Sequence, residues 1–159
     1  MTTRWGRLCA LSLLLISMGL SACATMEPQP TLYQRLTLKD GTGTLRGGRE
    51  AIAIIVDDFV ANVVADPRVA RRFTSLPAPA VSKLKADLSD QLCEATGGPC
   101  SYLGRDMKTV HAGMNITEAE WNATVEDLVK ALDKNKIGAK EKEELLGALG
   151  PMKKDIVGQ

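Results

Sequence analysis

The chain predicts an all-α fold, and three observations carry that reading. Apolar residues recur at three- and four-residue spacing through four long segments, the breaks between them fall on proline and glycine, and no run alternates apolar with polar as a half-buried strand does. With 159 residues, 45% of them hydrophobic, the chain is large enough for one core. Twenty basic and 19 acidic residues leave a formal net charge of +1, and no basic stripe carries interleaved aromatics. Both points argue against nucleic acid as a partner.

Residues 1–22 carry Arg4 and Arg7, then the apolar stretch from Leu8 to Leu20, then Ser21 and Ala22 ahead of Cys23. A basic start, a short apolar segment and small residues before a cut form a secretory signal, too short and too abruptly ended for a good membrane span. Cys23 has two readings, a residue that merely follows an ordinary cleaved signal or a site of lipid attachment. The run Leu20-Ser21-Ala22-Cys23 resembles the lipobox of bacterial lipoproteins, where the cysteine becomes the first residue and carries the lipid. That resemblance implies an exported protein, lipid-anchored in the periplasm, and Ala24 in place of an aspartate implies the outer membrane. Loss of residues 1–22 removes two arginines and no acid, so 137 residues of net charge −1 remain. Residues 23–31, with Pro28 and Pro30, read as a lipid-attached tether, and residues 32–157 as the folded domain.

Within the domain, Ile52, Ile55, Val56, Phe59 and Val63 form a first helical stripe that stops at Asp66-Pro67. Val81, Leu84, Leu88 and Leu92 form a second, ending at Gly97-Gly98-Pro99. Thr117-Glu118-Ala119-Glu120 is a capping box, in which hydroxyl and carboxylate satisfy orphan backbone donors. It opens a third stripe of Trp121, Val125, Leu128, Val129 and Leu132. A fourth follows Gly138, with Leu145, Leu146, Leu149, Met152 and Ile156, and Pro151 inside it predicts a kink or break. Two segments interrupt the pattern. Residues 37–46 are polar and glycine-bearing and read as a loop; with Gly47-Gly48 they faintly suggest a phosphate-cradling turn, but no strand precedes and no Lys-Ser/Thr follows. Residues 74–80 hold two prolines and read as non-helical.

Cysteine and histidine are the chemically pointed residues. Cys9 leaves with the signal, so Cys93 and Cys100 remain in the body of the domain. A pair in an oxidising compartment reads as a disulfide, whereas a metal or redox role would need more partners or CxxC spacing. The one histidine, His111, is flanked at helical spacing by Met107, Val110 and Met114. A lone imidazole on an apolar face is either a hydrogen-bonded core residue or the single protein bond to a haem iron.

Motif order along the domain resembles the group 1 truncated haemoglobins. The resemblance runs through Leu32-Tyr33-Gln34-Arg35-Leu36, Gly47-Gly48-Arg49-Glu50-Ala51-Ile52, Val56-Asp57-Asp58-Phe59, Ala65-Asp66-Pro67 and Phe73. It continues through Leu84-Lys85, Gly97-Gly98-Pro99, Tyr102-Leu103-Gly104-Arg105-Asp106-Met107, the run from His111 to Thr117, and Asp155-Ile156-Val157. It implies a two-over-two helical sandwich around haem b (iron protoporphyrin IX), with glycine pairs permitting tight corners. His111 becomes the iron ligand, its other ring nitrogen donating to a backbone carbonyl or water. Phe73 matches the phenylalanine that packs on the porphyrin face, and Met107, Val110 and Met114 become proximal walls. Phe59 and Leu92 join the haem-contacting set, with Lys85 and Lys108 as partners for the propionates.

Departures from that pattern bear on the chemistry. Val60 stands where many members place a distal tyrosine, and Leu88 where they often have glutamine. Asp87 takes the place of a histidine that closes the sixth iron position in some members, and Leu84 completes an apolar distal wall. Gln91 is the one nearby donor. Dioxygen gains negative charge in such a pocket and is held by donors, each contributing roughly 1.5–3 kcal/mol. The reading therefore expects fast release of dioxygen and less effect on carbon monoxide and nitric oxide. The expected function is reversible binding of dioxygen, nitric oxide or carbon monoxide, served by an electron donor that reduces the iron. The alternative is a haem enzyme, a nitric oxide dioxygenase or peroxidase, for which an apolar wall with only Asp87 or Gln91 nearby is poor equipment.

Overall fold

The computed structural model describes residues 28–159. The signal segment 1–22, Cys23 and the first residues of the tether lie outside the described residues. Pro28, Gln29 and Pro30 are exposed and have no regular structure before the first helix, α1 (Leu32–Arg35), opens. Its capping box pairs the Thr31 hydroxyl with the Gln34 N–H and the Gln34 side chain with the Thr31 N–H.

Residues 37–46 correct the sequence reading. They fold as an antiparallel hairpin of β1 (Thr37–Lys39) and β2 (Leu45–Gly47), with Leu38 facing Arg46. Leu38 alone points inward, 3% exposed, between exposed Thr37 and Lys39. Alternation over three residues is too brief to read as a period. The turn is organised by one side chain: the Asp40 carboxylate accepts from the Thr42 N–H and hydroxyl, the Thr44 N–H and Arg46 Nε, at 2.6–3.0 Å. Those donors hold the Asp40 carboxyl far below its usual range, Thr42 contributing most. The hairpin packs on α1 and on the long helix that follows it, with Leu38 in the main core.

Four long helices follow: α2 (Gly48–Ala65), α3 (Ala78–Ala95), α5 (Glu118–Lys134) and α6 (Ala139–Leu149), with the single-turn α4 (Met107–His111) between α3 and α5. α2 lies against α5 and α3, and α3 in turn touches α6, giving two layers of two helices. The stripe on α2 buries Ile52, Ile55, Val56 and Val60 against Leu32, Leu36, Leu38, Leu92, Leu128, Leu132 and Leu145. A smaller cluster of Val63, Val69 and Ala123 gathers Phe59 and Phe73 at its margin.

The breaks sit where the prolines put them, with one correction. α3 begins at Ala78, so the non-helical stretch is shorter than 74–80. Pro79 falls in the first turn, where its missing N–H would have had no partner. Beyond Leu149 the chain tightens into a 3-10 segment over Gly150–Asp155, with Pro151 at its start. Close approach explains two glycines. A Cβ on Gly98 would sit 2.5 Å from the Tyr33 ring and 2.6 Å from Cys93 Sγ, and one on Gly48 2.8 Å from the same ring. Gly48 also has φ +54°, in the left-handed region. Cys93, fully buried, is bonded to half-buried Cys100, closing the corner after α3. No helix among the described residues is long and apolar enough to cross a membrane.

Candidate functional site

His111 closes α4, and its backbone surroundings determine its chemistry. Asp106 caps the helix, accepting from the Thr109 N–H at 2.9 Å, so the short turn is fixed from its first residue. The imidazole Nδ1 lies 2.7 Å from the Met107 carbonyl oxygen. A carbonyl can only accept, so Nδ1 carries the hydrogen and donates. Nε2 is left with its lone pair, the form in which histidine binds a metal.

The chain beyond His111 is held just as firmly. Gly113 and Asn115 take positive φ, turning α4 into α5. Arg72 grips that corner, with Nη1 donating to the Met114 carbonyl at 2.7 Å while Nε and Nη2 reach both oxygens of Glu120 at 2.9 and 3.1 Å. Arg71 adds a third contact at 2.9 Å. Glu120 is only 7% exposed and is also the acid of the α5 capping box, accepting from the Thr117 N–H. Arg72 first, then the Thr117 N–H, hold its carboxyl far below the usual range. The sequence reading saw the capping box and missed the arginine pair. Arg71-Arg72 directly ahead of Phe73 was the available signal, but its partner lies 48 residues away.

By burial, the residues expected to line a haem site divide into two kinds. Val60 and Leu92, 3% and 6% exposed, belong to the main core, and Phe59 is half-buried between the two clusters. Leu84, Leu88, Phe73, Met107, Val110 and Met114 are half-buried. Trp121, Val125 and Val129 share this state, on one row of α5 beside the fully buried Ala123, Ala131 and Leu132. They were read simply as core; only their exposure distinguishes them. α3 makes its main contacts with α2 and α6, and α4 with the C-terminal 3-10 segment. Half-buried apolar side chains are the kind of lining that a flat apolar ligand would cover.

Of the polar candidates, Lys85, Asp87 and Gln91 are committed to protein partners. Lys85 Nζ pairs with Asp57 at 2.8 Å, while Lys108 is exposed. Asp87 holds Lys83 at 2.6 and 2.8 Å. Gln91 points its amide nitrogen at two thioethers, Met107 Sδ at 3.3 Å and Met152 Sδ at 3.5 Å, which are weak acceptors. Tyr102, beside Gln91 and Met107, donates to the Arg105 carbonyl at 2.8 Å, and burial pushes its phenol up. Among the described residues no group of three or more His, Cys, Asp or Glu side chains can hold a metal ion. A metal at His111 would take its other ligands from outside any such cluster.

Comparison with known proteins agrees with this architecture. The profile of the bacterial-like globin family matches residues 45–157. A group 1 truncated haemoglobin of Mycolicibacterium paratuberculosis is 32% identical over 110 residues, 69% of this chain and 79% of that one. Another, from Tetrahymena thermophila, is 28% identical over 134 residues, covering 84% of this chain and all of its relative. Among solved structures, the Fe(III) form of the Tetrahymena pyriformis truncated haemoglobin superposes with a TM-score of 0.69 at 25% identity, over 82% of this chain and all of that one. The chain belongs to the bacterial-like globins, within the truncated haemoglobin branch, and its fold is the two-over-two globin sandwich.

Haem is the prosthetic group of that family, and the residues here fit it. One imidazole offers a free Nε2, no competing cluster of metal ligands stands near it, and half-buried apolar side chains from α3, α4 and α5 supply walls for a flat, greasy group.

Proposed function

We propose that this protein holds haem b through His111 and reversibly binds dioxygen, nitric oxide or carbon monoxide at the iron. The observation that carries the reading is the 2.7 Å contact between His111 Nδ1 and the Met107 carbonyl, because it leaves Nε2 as the only unoccupied basic nitrogen on the ring. When bound, haem would supply an iron able to take a diatomic gas, with His111 as the residue that would hold it. The chain's own residues do the rest. His111 binds and orients, while Phe73, Met107, Val110, Met114 and the α5 row exclude water from the ring faces. Val60, Leu84 and Leu88 offer no hydrogen-bond donor on the other side.

That last property decides among gases. Dioxygen depends on donors far more than carbon monoxide or nitric oxide does, so a wall of Val60, Leu84 and Leu88 lets dioxygen go quickly. Gln91 would have to leave its two sulfur partners to act as a donor. Peroxidase chemistry wants a mobile acid–base group beside the reacting oxygen, and Asp87, the candidate carboxylate, is tied to Lys83. Gas binding is therefore favoured over a nitric oxide dioxygenase or peroxidase, and an electron donor keeps the iron reduced.

The site sits in an exported, lipid-anchored protein. The segment before Cys23 supports a lipoprotein signal over residues 1–22, with the tether 23–31 placing domain 32–157 in the periplasm at the outer membrane. Reconstitution with haem and an absorption spectrum test the central claim. A Soret band at one haem per chain is expected, and a protein that never acquires one overturns it.

A further inference from the structure

The end of the domain where the chain enters also carries its two most exposed large apolar side chains. Thr31 packs on the turn after α3, where a Cβ on Gly97 would lie 3.2 Å from it. Tyr33 is wedged between Gly48 and Gly98, and Arg49 reaches Cys100 Sγ at 2.9 Å and Asp90 at 2.7 Å. The entry point, the base of the hairpin and the start of the loop into α4 thus form one corner. Leu45, three residues before Gly48, is 66% exposed, and Leu103, three residues beyond Cys100, is 92% exposed. Three extended residues span at most about 11 Å, so neither leucine strays far from that corner.

The surrounding charges suit a lipid surface. Asp40 and Glu50 share Arg46, Asp90 pairs with Arg49, and Glu141 and Glu144 share Arg35, so each of these five acids has a guanidinium partner, although the three arginines offset only part of their charge. Arg105, two residues from Leu103, is exposed and has no ion pair among the described residues. An apolar side chain with a cation beside it matches the boundary between headgroups and acyl chains.

The tether's length sets the occupant. Eight residue steps separate Cys23 from Thr31, so an acylated cysteine keeps this corner within about 28 Å of the bilayer. Two leucines would not hold a free protein on a membrane, but tethering makes their contact intramolecular. We infer that the corner bearing Leu45 and Leu103 is a membrane-contacting surface, seated on the phospholipid bilayer to which Cys23 is attached. The inference rests on the lipoprotein reading above.

The test uses full-length protein purified from host membranes and reconstituted into phosphatidylcholine vesicles with brominated acyl chains. Leu45→Trp, Leu103→Trp and, as control, Leu76→Trp are compared against the background of Trp121. Leu76 lies just before α3, whose 18 residues extend about 27 Å. Quenching of the added fluorescence at positions 45 and 103 is expected to exceed that at 76 by about threefold or more. Intact mass of the same samples reads acylation of Cys23. Acylated protein with equal quenching at all three positions overturns the membrane surface alone. Protein lacking the acyl mass overturns the anchor reading, and the surface with it.

Discussion

A single backbone carbonyl decides what His111 can do. By accepting from Nδ1, the Met107 oxygen fixes the tautomer and aims the remaining lone pair outward. His111→Ala is expected to abolish stoichiometric haem retention, seen as loss of the Soret band after desalting, with the helical circular dichroism preserved. The distal wall makes a second prediction. Leu88 is half-buried, and glutamine has nearly its shape, so Leu88→Gln adds a donor without overpacking. Dioxygen release, followed by stopped-flow, should slow about tenfold or more, the equivalent of one hydrogen bond to a charged group. Carbon monoxide release should change far less. At this scale residue type and spacing left His111 open between a core residue and a ligand, and the family resemblance singled it out. Where Gln91 points was not legible, since its partners Met107 and Met152 come from two other parts of the chain.

At the scale of elements, the α4–α5 corner depends on a buried carboxylate. Glu120 titrates well below the usual carboxylate range when folded and near 4.3 when unfolded. Its contribution is therefore fully present above the unfolded value and fades as pH falls below it. Glu120→Gln should cost about 2 kcal/mol at pH 7, measured by urea unfolding, and the gap to wild type should narrow steadily between pH 5 and pH 2. A gap that stays constant over that range would mean that Arg72 does not stabilise the ionised form. The turn after α3 is closed covalently. The Cys93–Cys100 bond spans seven residues, and Cys93→Ser with Cys100→Ser should lower stability by about 2–3 kcal/mol on the chain-entropy model, by the same measurement. The capping boxes, the proline stops and the helical stripes were readable because each is local. The hairpin was missed because a strand of three residues shows no period, and its main organiser, Asp40, acts through hydrogen bonds that sequence spacing does not display.

For the whole molecule, the incomplete cover on Leu84, Val110, Met114, Trp121, Val125 and Val129 is a thermodynamic statement. Apolar area left half in water is stabilisation not yet realised, and a tightly held ligand recovers it. Haem-loaded protein should melt about 10 °C or more above the apoprotein in calorimetry at equal concentration. Attachment is tested separately. Cys23→Ser should move the protein from the membrane fraction to the soluble periplasmic fraction while leaving its haem spectrum unchanged, since Cys23 lies nine positions ahead of Leu32, where the folded domain begins.

Periodicity, caps and breaks by themselves determined that this chain is helical and where its long helices stop, while composition left His111 as the one imidazole to consider. They did so because helix geometry repeats every few residues and leaves its mark within one turn. Tertiary structure alone decided the tautomer of that imidazole, the arginine clamp on Glu120 and the division of each stripe into a buried and a half-exposed half. Those properties depend on groups tens of residues apart meeting within hydrogen-bond distance, and on surface that the rest of the chain does not cover.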